Sequence, residues 1–330
     1  MPQAGGLGGA GGVPRVRVVV LNHNGGEFVL RCLDALGATD WPASALEIVV
    51  VDNASTDGSV EQILKQHPDA KIVPASGNLG FPANNLALRD LGSVHYVALV
   101  NNDAFVEPGW LAPLVAELEA DARVGAANSL VLFDGRVEDT INNAGNEVLT
   151  SGYGRDRGFG STDLDAYATP VDLFAWCGAA VLLRPTYLAD VGLFDERFFL
   201  YYEDTDLSWR GQLRGWRYRY VPASRVRHVH SATAGAGSDR HRFYAERNRL
   251  VMLVKNAPRG FARRAVLRFP LSTLSYAVRG DRHAVRLRAR SYASFLGLLP
   301  HALRARRRIR ARASVDDAAV MARLVDDPNW

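Results

Sequence analysis

Cysteine and lysine are the scarce residues of this 330-residue chain. Two cysteines, Cys32 and Cys177, are too few for a disulfide framework or a multi-cysteine zinc site. That usage suits a reducing, intracellular compartment. No run of eighteen apolar residues occurs, so no membrane-spanning helix is expected. Residues 1–14 are rich in Gly and Ala, with neither a basic start nor an apolar core. They read as a disordered leader and not as a signal peptide. Three lysines stand against 36 arginines, a skew that fits a GC-rich coding sequence more than any chemistry. No internal repeat of solenoid period is present. What remains is ample for a core, with 48% hydrophobic and 22% charged residues.

The charge is unevenly placed. Residues 255–312 carry +15, residues 1–254 carry −8 and residues 313–330 carry −3. The basic surplus is therefore one C-terminal block.

The first half alternates short β-branched runs with amphipathic stretches. Residues 16–21, 46–51 and 95–100 read as strands, and 70–75 as a weaker one. Phe28, Cys32, Leu33 and Leu36 have helical spacing, as do Val60, Ile63 and Leu64, and Leu86, Leu88 and Leu91. Such alternation predicts an α/β fold with a mostly parallel sheet. Each of the three strong runs stops at a polar cluster on its carboxyl side: Asn22-His23-Asn24, Asp52-Asn53-Ala54-Ser55 and Asn101-Asn102-Asp103. Ligands bind at that edge of open α/β sheets. Asn and Asp also begin turns and cap helices; three clusters together favour a nucleotide site.

Past residue 125 the alternation breaks. Residues 125–133 and 171–183 read as further strands, and 134–169 as a loop-rich lid. Residues 194–207 hold five carboxylates among five aromatics. Glu203-Asp204 opens a helix that Gly215 stops. Asp206 and Arg210, at i and i+4, read as a surface pair. Acids crowded by aromatics raise one another's pKa, which suits a general base. Asp103 at a strand end can hold a hard cation beside a diphosphate, and His228 or His230 can complete such a site. Caps and structural histidines remain the plainer alternatives. Arg247 lies on a helix over 241–258, where it would either meet a departing anion or form a solvated face.

These stretches together resemble the family-2 inverting glycosyltransferases, near the bacterial rhamnosyltransferase-like branch. The resemblance rests on residues 19–24, 50–59, 77–85, 99–103, 177–184 and 194–207, and on the His-x-x-Ser-Ala-Thr stretch from His228 to Thr233. It covers about residues 15–254. It implies a nucleotide-diphospho-sugar transferase (GT-A type) fold and a metal-dependent single displacement. Asn22, His23, Asn24, Asp52, Asn53 and Ser55 would hold base and ribose. Gly77, Asn78, Gly80 and Asn84 would line nucleotide and sugar, with Asn102 in the same group. Asp103 and His228 would bind Mn2+ or Mg2+, although Asn101 stands where the family often has a first Asp. Asp204 would be the base with Glu203 beside it, and Arg247 would face the diphosphate.

The expected donor is a nucleotide-diphospho-sugar, dTDP-rhamnose in preference to a UDP-linked galactofuranose or other hexose. The expected acceptor is a saccharide or polyprenyl-linked saccharide used in cell-surface polysaccharide assembly. The catalytic domain would span 15–256, followed by a helical, Arg-rich extension at 257–330. In residues 259–312 basic and apolar residues interleave at helical spacing. That suits either a helix lying on an anionic membrane surface or a solvated appendage packed on the core. The expected location is cytoplasmic, either free or peripheral on the cytoplasmic face of the plasma membrane. A dinucleotide oxidoreductase is excluded, because Leu21 is followed by Asn-His-Asn-Gly-Gly and not Gly-x-Gly-x-x-Gly. A nucleic-acid-binding role is disfavoured by the acidic first 254 residues. A non-catalytic sugar-nucleotide binder would tolerate loss of Glu203 and Asp204, and both are present.

Overall fold

The structure, a computed structural model, describes residues 12–229 and 237–328. His230 and the Ser-Ala-Thr that follows lie outside the described residues, as does most of the leader.

The chain runs β1 (Val16–Asn22), α1 (Gly26–Gly37), β2 (Leu46–Asp52), α2 (Ser59–Gln66), β3 (Lys71–Pro74), α3 (Asn85–Leu88), β4 (Tyr96–Asn101) and β5 (Ala104–Val106). It continues with α4 (Leu111–Ala120), β6 (Val124–Phe133), β7 (Ile141–Asn143), β8 (Asn146–Val148), β9 (Gly154–Asp156), β10 (Ala180–Leu183) and α5 (Pro185–Val191). Last come α6 (Glu203–Gln212), β11 (Arg217–His228), α7 (Asp239–Asn256), α8 (Arg259–Val278), α9 (Arg282–Arg312) and α10 (Asp317–Met321).

One nine-stranded sheet has the order β3-β2-β1-β4-β10-β6-β11-β5, with β7 beside β6. β3, β2, β1 and β4 are mutually parallel, and β6 and β11 are parallel to each other. β10 runs against both β4 and β6, β5 against β11 and β7 against β6, so six of the nine strands point one way, the parallel majority that the alternating pattern predicts, within a mixed sheet. Its strands read as continuous apolar runs because both faces are covered. Val16, Val18 and Val20 join one core with α1, α2 and α4, whereas Val19 joins the opposite core with α3, α5 and α6. A pleat sends successive side chains to opposite faces, and here each face meets helices.

Two expectations need correction. Residues 171–183 do not form one strand, since only Ala180–Leu183 does. Asp172 bridges Arg219, while Ala175 bridges Asn146, so the segment crosses between two partners. The other correction concerns Asp206 and Arg210. Asp206 is wholly buried, and it accepts from Arg210 Nε at 3.0 Å, Lys255 Nζ at 2.8 Å and Asn256 Nδ2 at 2.8 Å. They belong to an internal ion network and not to the surface.

A third core joins α6, α7, α8 and α9, with Trp209, Leu253, Phe269 and Phe295 at its centre. Phe269 and Phe295 are 2% and 0% exposed, and Phe269 stacks on Tyr292 at 5.3 Å. The Arg-rich segment is thus anchored by its inner face to the rest of the molecule.

Candidate active site

Parallel register brings the three polar clusters to one edge. Asn22 pairs with Asp52, and Leu21 with Asn101. β1 has β2 on one side and β4 on the other, so the chain reverses its strand order there, which opens a crevice. A cleft of about 1090 Å³ lies over this edge. His23, Asn53, Asn78, Gly80, Asn102, Asp103, Glu203, Asp204 and His228 all line it.

Other expected residues stand behind the cleft and hold its loops. Asn22 is wholly buried and donates to Ser55 Oγ at 3.1 Å and Ser59 Oγ at 2.9 Å. Asn24, at φ 52°, accepts the Thr56 N–H at 2.8 Å and gives its own N–H to Ser55 Oγ. Asp52 accepts the Ser55 N–H at 3.4 Å. Asn84 donates to the Phe81 carbonyl at 2.9 Å. Gly77 is half-buried beside this loop. None of these, nor Arg247, is among the cleft-lining residues.

The loop at 78–80 is tied down by a chain of hydrogen bonds. Asn53 Oδ1 accepts the Leu79 N–H at 2.8 Å, and Asn53 Nδ2 donates to Asn78 Oδ1 at 3.1 Å. Asn78 Nδ2 lies 2.9 Å from His23 Nε2, and His23 Nδ1 lies 2.9 Å from the Asn53 carbonyl. One tautomer satisfies both, with the proton on Nδ1. Gly80 at φ 70° passes so close to the Phe199 carbonyl that a β-carbon would collide with it.

Antiparallel pairing of β11 with β5 sets His228 against Ala104, next to Asp103. Both side chains are nearly buried. His228 Nε2 lies 3.0 Å from Asp103 Oδ1, and Nδ1 lies 2.9 Å from Asn142 Oδ1. With the Nδ1 proton given to Asn142, the Nε2 lone pair and the carboxylate face each other. Two electron-rich atoms so placed suit a shared cation or proton. No cluster of three or more His, Cys, Asp or Glu side chains suited to a metal occurs among the described residues. The pair therefore fits a hard divalent ion only if diphosphate oxygens and water complete its shell.

Asp204 sits in the first turn of α6, after a strained turn. Phe199, Tyr201 and Tyr202 all have φ near 68°, a left-handed conformation that costs side-chain-bearing residues energy. α7 holds that turn in place. Asn248 Nδ2 donates to the carbonyls of Phe198, Leu200 and Tyr201 at 2.9, 2.7 and 2.8 Å. Arg247 Nη2 donates to the carbonyls of Arg197 and Phe198. This is where the Arg247 guanidinium is spent, over the Tyr244 ring and away from the cleft.

The Asp204 carboxylate accepts from the Thr205 N–H at 2.6 Å and Asn146 Nδ2 at 3.1 Å. Burial pushes its pKa up to about 6, against the lowering pull of the Thr205 bonds. Burial, with Asp204 beside it, holds Glu203 well above the usual carboxylate range. Glu203 Oε2 is buried without a hydrogen-bond partner among the described residues. Burial pushes both cysteine thiols upward, which disfavours the thiolate form.

Asn142 and Asn146, which hold His228 and Asp204, carry no expectation from the sequence. The available signal was the run Asn142-Asn143-Ala144-Gly145-Asn146, a polar turn inside an otherwise loop-rich segment. Tyr276, Leu287 and Arg288 also line the cleft, so α8 and α9 form part of its wall.

The sequence model for glycosyl transferase family 2 matches residues 17–180. The chain is 29% identical over 253 residues to an N-acetylglucosaminyl-diphospho-decaprenol L-rhamnosyltransferase of Mycobacterium tuberculosis, covering 68% of this chain and 79% of that one. Its fold is similar to that of GalNAc-T7 solved with UDP, GalNAc and Mn2+, at 16% identity and a TM-score of 0.61 over 88% of this chain. The match spans 57% of that longer protein. It is also similar to the mannosyltransferase PcManGT from Pyrobaculum calidifontis, solved with GDP-Man and Mn2+. That match has 22% identity and a TM-score of 0.51, covering 94% of this chain and 79% of the other. At such identities the likeness establishes the fold, which is of the GT-A type with added C-terminal helices.

Proposed function

Because the chain belongs to the family-2 glycosyltransferases, we propose that it transfers a sugar from a nucleotide diphosphate with inversion, using Asp204 as the base. The observation that carries this reading is one carboxylate, Asp204, raised to about 6 in the same cleft as the Asp103–His228 pair. Such a group is ionised at neutral pH yet basic enough to take a hydroxyl proton in the transition state. The acceptor oxygen would attack the anomeric carbon as its proton passes to Asp204 Oδ2. The bond to the diphosphate would break on the opposite side. Asp103 and His228 would hold Mn2+ or Mg2+, and a bound cation would offset the charge of the departing diphosphate. His23, Asn53, Asn78 and Gly80 would seat the nucleotide, and Asn102 the diphosphate end. Glu203, whose anion burial disfavours, would donate a hydrogen bond within the cleft when protonated.

The preferred donor is dTDP-rhamnose, and the preferred acceptor is a polyprenyl-linked saccharide. The likeness to a rhamnosyltransferase named for a decaprenyl diphosphate acceptor supports both. A UDP-sugar is the competing donor. Turnover of dTDP-rhamnose and UDP-hexoses with Mn2+ or Mg2+ separates the two. Asp103→Ala and His228→Ala should each weaken metal-dependent nucleotide binding by about tenfold or more. Full activity of the wild-type enzyme in excess chelator would remove the metal from the proposal. Absence of turnover with every sugar nucleotide would remove the transfer itself.

A further inference from the structure

α8 is apolar on two opposite sides. Ala262, Ala265 and Phe269 face the third core and are buried. On the other side Leu267, Leu271, Leu274 and Val278 are 57, 64, 60 and 88% exposed. Their spacing of four, three and four residues confines them to about 60° of helix arc. A surface helix of a water-facing protein carries polar groups on that side, and four large aliphatic residues in one row call for a cover.

Charge selects among the possible covers. Arg263 and Arg264 are exposed and lie one turn before Leu267, at the head of the row. Arg279 follows Val278 and Arg282 opens the next helix, both exposed. No acidic residue occurs between Arg259 and Asp281. A second copy would bring the same positive surface against this one and repel it. An anionic surface with an apolar interior matches both the arginines and the leucines.

We propose that the outward face of α8 docks on an anionic lipid bilayer, with the Leu267–Leu271–Leu274–Val278 row entering the acyl boundary and Arg263 and Arg264 meeting headgroup phosphates. No helix among the described residues is long and apolar enough to cross a membrane, and this mode needs none. The same helix reaches the cleft by its opposite face. Tyr276 lies on α8 between Leu274 and Val278 and lines the cleft, together with Leu287 and Arg288 of α9. A bilayer against the outward face of α8 would hold a membrane-bound acceptor about one helix diameter, roughly 10 Å, from that wall. Only that last link rests on the function proposed above; docking itself is measured without turnover, so either can fail alone.

The test uses the full chain and vesicles of phosphatidylcholine, with and without phosphatidylglycerol. Sedimentation with the phosphatidylglycerol vesicles is expected at low salt and is lost at high salt, as screening weakens the headgroup contacts. Leu271→Glu combined with Leu274→Glu should lower the bound fraction at least about tenfold. Arg263→Glu combined with Arg264→Glu should do the same, and serves if the leucine variant fails to fold. Leu64→Glu, an equally exposed leucine on α2, should bind as the wild type does. Undiminished binding by a folded leucine variant and by the arginine variant overturns the proposal. So does equal binding to vesicles of phosphatidylcholine alone. A dimer in analytical ultracentrifugation that the leucine pair abolishes, without vesicle binding by any form, assigns the face to a second copy and also overturns it.

Discussion

The base proposed above, Asp204, owes its raised pKa to burial that denies its anion water while four hydrogen-bond donors still reach it. The working form is also the less stable one. A carboxyl whose folded pKa exceeds its unfolded value favours the fold while protonated, below the unfolded value, and that contribution is lost as pH rises through about 6. Catalysis runs the other way. kcat/KM should climb with pH, bend near 6 and stay level above it, as measured across pH 4.5–8 at saturating metal (roughly the span that brackets a carboxylate base). Asp204→Asn should remove that limb and lower kcat on the order of 10²–10⁴-fold. Glu203→Gln should cost less than about tenfold, because burial beside Asp204 already disfavours the Glu203 anion. A variant at 204 with wild-type turnover would discard the assignment.

At the scale of elements, α7 holds the turn that enters α6 by its backbone carbonyls. Asn248 spends one amide on three carbonyls of the turn that launches Asp204. Asn248→Ala leaves those buried acceptors short of a donor, at a cost of about 1–3 kcal/mol. Release of the left-handed turn should lower kcat more than it raises donor KM, and chemical denaturation read beside the kinetics checks both. A change confined to stability would make Asn248 a packing residue only. Little of this pairing is legible in the sequence. β1, β2 and β4 are, because each is a continuous apolar run that ends on polar residues. β5, β7, β8 and β9 are not, because three residues are too few to display a period of two. The acidic segment at 203–206 announces a site, but not which acid serves which purpose. Asp204 and Asp206 differ by two positions on one helix, about 200° of rotation, and one turns to the cleft while the other turns to Lys255. Arg247 shows the same limit: composition marks a cation on α7, and only packing reveals that it faces Phe198.

Across the whole molecule, one buried cation joins parts far apart in the chain. Lys255 is 2% exposed and binds Asp206 at 2.8 Å and Asp195 at 2.6 Å. His301 of α9 reaches the same Asp195 at 2.8 Å. Burial alone would raise the Asp195 pKa, but Lys255 and His301 draw it well below the usual carboxylate range. That ion therefore stabilises the fold above its unfolded pKa and fails only in strong acid. Lys255→Met leaves two buried carboxylates short of their counter-ion. It should cost about 3–5 kcal/mol in urea unfolding at pH 7, and an unchanged midpoint would refute the network's importance. The wall that α9 contributes has a consequence in time. Ribosomes add roughly 5–20 residues per second, so Asn22 is made roughly 15–50 s before Arg288. Through that interval the sheet edge under the cleft exists without its far wall. A nascent chain of this protein is therefore an unfinished container until α9 has been delivered.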